Sequence, residues 1–159
     1  MKRRYGLIVA GALASILLLA ACASPASSGE PIPGTWVAVE MSNSTATMPL
    51  TLLEEHTNLH FEMEQEGQPL AFMAYILDGD IQVRANACPP CGSRGFTLKG
   101  KVLDCDACHT LFDARDGSGI EGPCANYPKA LVPHSVSGGR ITLTVSDLVN
   151  AYEETLIAG

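Results

Sequence analysis

Positive charge is scarce in this chain. Across 159 residues, 10 Lys and Arg stand against 17 Asp and Glu. Lys2, Arg3 and Arg4 account for three of the ten, and without them 7 basic residues face 17 acidic ones, a balance of −10. So acidic a body lacks the electrostatic footprint of nucleic-acid binding or of docking on anionic lipid. It suits a cationic partner or nearby metal ions, although plain solubility is the commoner reason for acidity. A second long apolar run is missing after the N-terminal segment, so no further membrane span is expected. A phosphate loop, a hydrolytic triad and a carboxylate pair are missing too. Ser137-Gly138-Gly139 reads as a turn, not a nucleophile elbow. No internal repeat is visible beyond a pair of cysteine motifs.

The N-terminus has the form of a bacterial lipoprotein signal over residues 1–21. Lys2, Arg3 and Arg4 make a basic start, and Leu7 to Leu19 make a short apolar segment. Leu19-Ala20-Ala21-Cys22 looks like a lipobox, in which Cys22 is lipidated and becomes the new N-terminus. An ordinary secretory signal or an uncleaved anchor is the alternative. Acyl chains on Cys22 would hold the protein to the extracytoplasmic face of a bacterial cell membrane. Residues 22–34, rich in Ser, Pro and Gly, read as a tether, and residues 35–159 as one small domain.

Five cysteines remain: Cys88, Cys91, Cys105, Cys108 and Cys124. Four of them form Cys88-Pro-Pro-Cys91 and Cys105-Asp-Ala-Cys108, with 13 residues between the pairs. Each pair can place two thiolates on one tight turn, and the intervening segment is long enough for a hairpin that joins the turns. Four convergent thiolates make a tetrahedral sulfur cage, which suits an iron–sulfur cluster, a single iron or zinc. Zinc would make the site a structural staple. Disulfides stay open as well, because the compartment is oxidising, but five cysteines cannot close into pairs. A thioredoxin-type site is disfavoured, because Gly92-Ser93-Arg94-Gly95 is a poor helix start. Cys105-Asp-Ala-Cys108-His109 also satisfies the C-x-x-C-H signature of covalent haem c. That reading leaves Cys88 and Cys91 unexplained.

The remaining pattern is mainly β with many tight turns. Thr35 to Glu40 alternates briefly, and Met41 to Pro49 reads as polar and turn-like. Leu50 to Glu55 is a strand or one helical turn. Asn58 to Glu66 alternates with period two, Leu70 to Leu77 is a buried apolar strand, and Asp78-Gly79-Asp80 turns the chain into Ile81 to Ala85. Gly95 to Leu98 and Lys101 to Asp104 flank Gly100 as a hairpin. Residues 116–119 form a loop and residues 123–133 an irregular stretch. Ile141 to Val145 is a strand, and a short C-terminal helix follows from an N-cap at Ser146.

Segment 86–133 resembles the membrane iron–sulfur FtrD-like family. The residues that carry the likeness are Asn86-Ala87-Cys88-Pro-Pro-Cys91-Gly92, Val102-Leu-Asp-Cys105-Asp-Ala-Cys108, Phe112-Asp113 and Gly122-Pro123-Cys124. The strand pair from Leu59-His60-Phe61 to Arg84 is similar to that family as well. The resemblance implies an iron–sulfur redox lipoprotein in the setting of membrane iron transport. Cys105-x-x-Cys108-x-x-x-Phe112-Asp113 with Gly122-Pro123 also looks like the second cluster loop of Rieske proteins, with Cys108 where those have a ligand histidine. Cys91 likewise replaces a histidine. All-thiolate ligation implies a potential well below Rieske values.

The sequence thus leads to a small β domain, Rieske-like or zinc-ribbon-like, with a short closing helix. Its expected ligands are Cys88, Cys91, Cys105 and Cys108. It reads as an electron carrier or metal-binding protein rather than a catalyst, with a membrane redox protein or iron permease as partner. Cys124 is open as a fifth ligand, a redox-active thiol or a buried small residue. His109 is open as an outlying hydrogen-bond donor or an exposed loop residue. His60 falls on the polar phase of its strand, as a contact for a second metal or partner or as a plain surface histidine. Met63 and Met73 read as core, and His56 and His134 carry no signal.

Overall fold

The computed structural model describes residues 29–159. Cys22, the signal segment and the start of the tether lie outside the described residues. The strands are β1 (Pro31–Ile32), β2 (Thr35–Trp36), β3 (Glu40–Met41) and β4 (Thr45–Pro49). Helix α1 (Leu50–His56) follows, then β5 (Asn58–Gln65), β6 (Gln68–Leu77) and β7 (Asp80–Ala85). Next come β8 (Phe96–Lys99), β9 (Val102–Cys105), β10 (Leu111–Asp113) and β11 (Gly119–Glu121). The chain closes with β12 (His134–Ser137), β13 (Arg140–Thr144) and α2 (Val145–Thr155). The protein is mainly β with a short C-terminal helix, as the pattern predicts. No helix among the described residues is long and apolar enough to cross a membrane.

Three sheets form: β2-β5-β6-β7, β12-β13-β4-β3 and β1-β8-β9-β10-β11. The first is central. Period-two alternation along β6 sends Phe72 and Ala74 to one face and Met73, Tyr75 and Leu77 to the other. Phe72 and Ala74 join Leu59, Phe61 and Met63 in a core with Met48, Ile141, Leu143 and Leu148. Met73, Tyr75 and Leu77 join Phe96, Leu98, Leu103, Cys105 and Phe112 in a second core. Burial on both faces explains the unbroken apolar run of β6. The second core is the floor under the cysteine motifs.

Tight turns set the registers. Leu77 pairs with Asp80 across Asp78-Gly79, both at positive φ, as a two-residue hairpin turn requires. Lys99 pairs with Val102 across Gly100, so Phe96 lies opposite Cys105.

Several local expectations change. Residues 45–49, read as turn-like, form β4, because Ala46 and Met48 alternate into the first core opposite Leu143 and Ile141. Of the two alternatives for Leu50 to Glu55, the helix is the one that forms, as α1. The α2 cap is Thr144, whose side chain accepts from the Asp147 N–H, two residues before the expected Ser146. Pro31 and Ile32, expected in the tether, pair with Lys99 and Leu98, and the Asn58 side-chain amide donates to the Ile32 carbonyl at 3.0 Å.

His60 is the largest departure. Alternation puts it opposite Leu59 and Phe61 and hence on a polar face, but that face packs beneath the β8–β9 sheet. His60 is 1% exposed, with Trp36 edge-on at 5.3 Å. A Cβ at Gly34 would stand 2.1 Å from the ring, so only glycine fits there. Neither ring nitrogen has a partner among the described residues. Burial holds its pKa below the ordinary imidazole value, against an opposing pull from the Asp106 carboxylate and the Phe96 backbone.

The sign of the pH effect follows. Below about pH 6.5 the unfolded chain binds a proton at this histidine and the folded chain resists it, so the folded state loses stability as pH falls. Denaturant unfolding below that pH should show a decline on the order of 1 kcal/mol that His60→Gln removes. An identical decline in both proteins would rule this out.

Candidate metal centre

The first cysteine turn follows β7. Gly92 N–H donates to the Cys88 carbonyl at 2.8 Å and Cys88 N–H donates to the Ser93 carbonyl at 2.9 Å. Gly92 takes φ 72, which closes the turn without a Cβ penalty. The second turn begins on the last residue of β9. His109 N–H donates to the Cys105 carbonyl at 2.9 Å and Cys105 N–H to the Thr110 carbonyl at 3.0 Å. The turns are stitched together by the Asp106 N–H, which donates to the Gly95 carbonyl at 3.0 Å. Arg94 of the first turn ion-pairs with Glu62 on β5 at 2.5 Å.

This stitching brings Cys88, Cys91, Cys105 and Cys108 together, with all four Sγ atoms within 4.8 Å of one another. Cys91 Sγ and Cys105 Sγ are 3.8 Å apart. None of the five described cysteines is in a disulfide. The cage is asymmetric: Cys88 and Cys105 are buried, Cys108 is half-buried and Cys91 is exposed. Each turn therefore points its first cysteine inward and its second toward solvent.

The thiols differ in acidity accordingly. Burial pushes Cys88 and Cys105 up. Burial also opposes ionisation of Cys108, but hydrogen bonds from the Thr110 hydroxyl and backbone, and from Cys105 and Cys91, outweigh it and bring this thiol down to about 6. The Thr110 Oγ1 lies 3.2 Å from Cys108 Sγ and accepts from the Cys124 N–H at 3.1 Å.

Cys124 is buried, and its Sγ lies 3.7 Å from that of Cys108. It flanks the four-sulfur group without belonging to it. His109 is a loop residue with its side chain 78% exposed, and its Nδ1 lies 3.3 Å from Asp104 Oδ1. His60 lies outside the cage. With Cys88 and Cys91 converging on Cys105 and Cys108, the C-x-x-C-H segment is half of a four-sulfur site. Sequence reasoning missed Lys129, whose buried Nζ donates to the Ala87 carbonyl at 2.7 Å, and Arg84, which donates to the Tyr75 hydroxyl at 3.0 Å and the Lys129 carbonyl at 2.9 Å. Both are single basic residues among apolar neighbours, and no spacing rule flags them.

A family model described as membrane iron-sulfur containing protein FtrD-like matches residues 53–154, well over half of the chain. No curated protein matches the chain. Among solved structures, a ferredoxin from Sphingomonas yanoikuyae B1 is similar at 24% identity, over 52% of this chain and 81% of that one, with a TM-score of 0.44. The complex of reduced oxygenase and oxidized ferredoxin in carbazole 1,9a-dioxygenase is similar at 17% identity, over 54% of this chain and 79% of that one, with a TM-score of 0.45. The all-sulfur donor set fits iron, since thiolates are the ordinary ligands of such centres. On the family match and the four-cysteine cage, the cofactor is an iron–sulfur cluster.

Two substitutions test the ligand set. Cys105→Ser should abolish stoichiometric metal retention and lower the melting temperature, because metal binding is also folding free energy. Cys124→Ser should keep the metal and cost no more than about 2 kcal/mol of stability. Metal analysis and thermal unfolding of both variants decide the matter, and full metal in Cys105→Ser would refute the four-cysteine site.

Proposed function

The chain belongs to the FtrD-like family of membrane iron–sulfur containing proteins, and from that premise we propose that it is a membrane-anchored, extracytoplasmic electron carrier. Its ligands in this reading are Cys88, Cys91, Cys105 and Cys108. The observation that carries the reading is the convergence of these four Sγ atoms within 4.8 Å. Bound there, the group supplies one-electron chemistry. The two turns hold the donors, the second core shuts water from the Cys88 and Cys105 side, and Cys91 and Cys108 leave the outer side open to a partner. Nothing in the donor set offers a substrate site, which suits a carrier better than a catalyst.

The anchor in this reading is a lipidated Cys22, supported by Leu19-Ala20-Ala21-Cys22. The partner is a membrane redox protein or permease of an iron-transport system, and the support for that setting is the family resemblance. Acidic residues outnumbering basic ones suit a cationic docking face.

Sulfur spacing favours a second reading at the level of nuclearity. One tetrahedral ion with metal–sulfur bonds of about 2.3 Å sets sulfur–sulfur edges of about 3.8 Å. The Cys91–Cys105 separation of 3.8 Å equals that edge. A cluster held by the same four cysteines would need the two thiolate pairs further apart than a single ion does. A single iron, or a structural zinc, is therefore the rival.

The full chain purified anaerobically from membranes in detergent separates these outcomes. Iron with acid-labile sulfide and broad thiolate-to-iron absorption is the expected result. Iron without sulfide would reduce the centre to one ion. One zinc per chain and no colour would overturn the carrier role. Cys22→Ala should move the protein from the membrane to the soluble fraction on cell fractionation.

A further inference from the structure

Lys129 is a cation with no solvent and no carboxylate. It is 0% exposed, and among the described residues no Asp or Glu pairs with it. Taking an ammonium out of water costs several kcal/mol unless an anion or several dipoles replace the water. The dipoles present are few. Nζ donates to the Ala87 carbonyl at 2.7 Å and stands over the Phe112 ring at 4.3 Å and the Phe96 ring at 5.4 Å. Ala87 is the residue before Cys88, so this bond places the ammonium against the inner wall of the first cysteine turn. The groups whose negative charge favours the lysine cation are all sulfur: Cys88, Cys105, Cys124 and Cys91. Burial is nevertheless the larger effect and holds its pKa below the ordinary lysine value.

The backbone around Lys129 is clamped. Its N–H donates to the Gly117 carbonyl at 2.8 Å, and its own carbonyl accepts from Arg84 Nη1 at 2.9 Å. Gly117 sits so close that a Cβ would lie 2.1 Å from the Lys129 carbonyl oxygen. A side chain held this firmly at its root has little freedom to swing its charge elsewhere.

We propose that Lys129 is the built-in counter-charge of the four-cysteine centre, a buried cation that raises its reduction potential. This rests on the iron–sulfur reading above. Four thiolates more than offset the charge of the iron they bind, and each added electron makes the centre more negative. A fixed positive charge on its buried side therefore stabilises the reduced form over the oxidised one, and the low dielectric there leaves that effect poorly screened. The lysine touches no reacting atom, so it is a positioning and tuning residue rather than a ligand.

The test is potentiometry on the full chain, followed by its visible spectrum, for wild type, Lys129→Met, Lys129→Gln and Lys129→Arg. Glutamine loses the charge but keeps an N–H donor on a chain one atom shorter, whereas arginine keeps the charge. Both neutral variants should shift the oxidised-to-reduced ratio at a fixed ambient potential by at least about tenfold toward the oxidised form. Lys129→Arg should recover most of that shift. Iron-replete neutral variants with the wild-type ratio would overturn the proposal. Loss of iron from both neutral variants but not from Lys129→Arg would support it, and loss from all three would overturn it in favour of a packing role. A colourless, zinc-only wild type would instead refute the iron–sulfur reading itself, so the two failures are distinct.

Discussion

The β8–β9 hairpin is the part on which the cage depends. Its register puts Phe96 opposite Cys105, which fixes where the second cysteine turn begins relative to the end of the first. The Asp106 N–H to Gly95 carbonyl bond then locks the turns side by side. A slip of one residue would flip every side chain to the other face. Cys105 would leave the core and Asp104 would enter it, and no cage would form. The small Gly100 turn therefore matters as much to the metal site as the cysteines do, because it sets the count between the two motifs.

The hairpin needs a floor, and the central sheet supplies it. Tyr75, Met73 and Leu77 on β6 meet Phe96, Leu98 and Phe112 from the other sheet. Such a contact is non-directional and would tolerate sliding. Direction comes from a few buried polar groups. Tyr75 donates its hydroxyl to the Ala114 carbonyl at 2.6 Å, Arg84 reaches the Asp116 carbonyl at 3.0 Å, and Asn58 reaches the Phe96 carbonyl at 3.1 Å. Each joins the central sheet to backbone of the cysteine-bearing sheet or its loops. Breaking the bond to Ala114 or to Phe96 leaves a buried carbonyl without that donor, which costs more than the bond itself returns. These bonds turn two packed sheets into one defined arrangement.

What could be read in the sequence was what repeats locally. The cysteine pairs, the Asp78-Gly79 turn, the alternating strands β5 and β7, the apolar run of β6 and the hairpin around Gly100 each carry their signal within a few residues, and each formed. Non-local effects were not legible. His60 has a polar neighbour pattern, but a second sheet covers the face it occupies, and the sequence of β5 does not say so. Pro31 and Ile32 look like tether and become an edge strand because Asn58, 26 residues later, holds the Ile32 carbonyl. Thr144 outcompetes Ser146 as a cap because β13 runs to Thr144 before the helix starts. Lys129 sits in a proline-rich stretch where a lysine ordinarily means solvent, and only the folded chain shows it buried on the Ala87 carbonyl beside the first cysteine turn.

The charge pattern makes sense on two length scales. The acidic excess lies mostly on exposed side chains, where water and salt screen it over about 8–10 Å. Its reach is toward an approaching partner, and its influence on a buried centre is weak. Lys129 works the other way: it is buried, with its ammonium on the Ala87 carbonyl next to Cys88. A chain with few basic residues that buries one of them beside the first cysteine turn separates two tasks in this reading. In the proposed carrier, the surface would govern what docks beside Cys91 and Cys108, while the buried lysine would govern how readily the centre accepts an electron. With the two tasks on different residues, a docking face on that surface could change its charge without resetting the potential, and the potential could change without altering such a face.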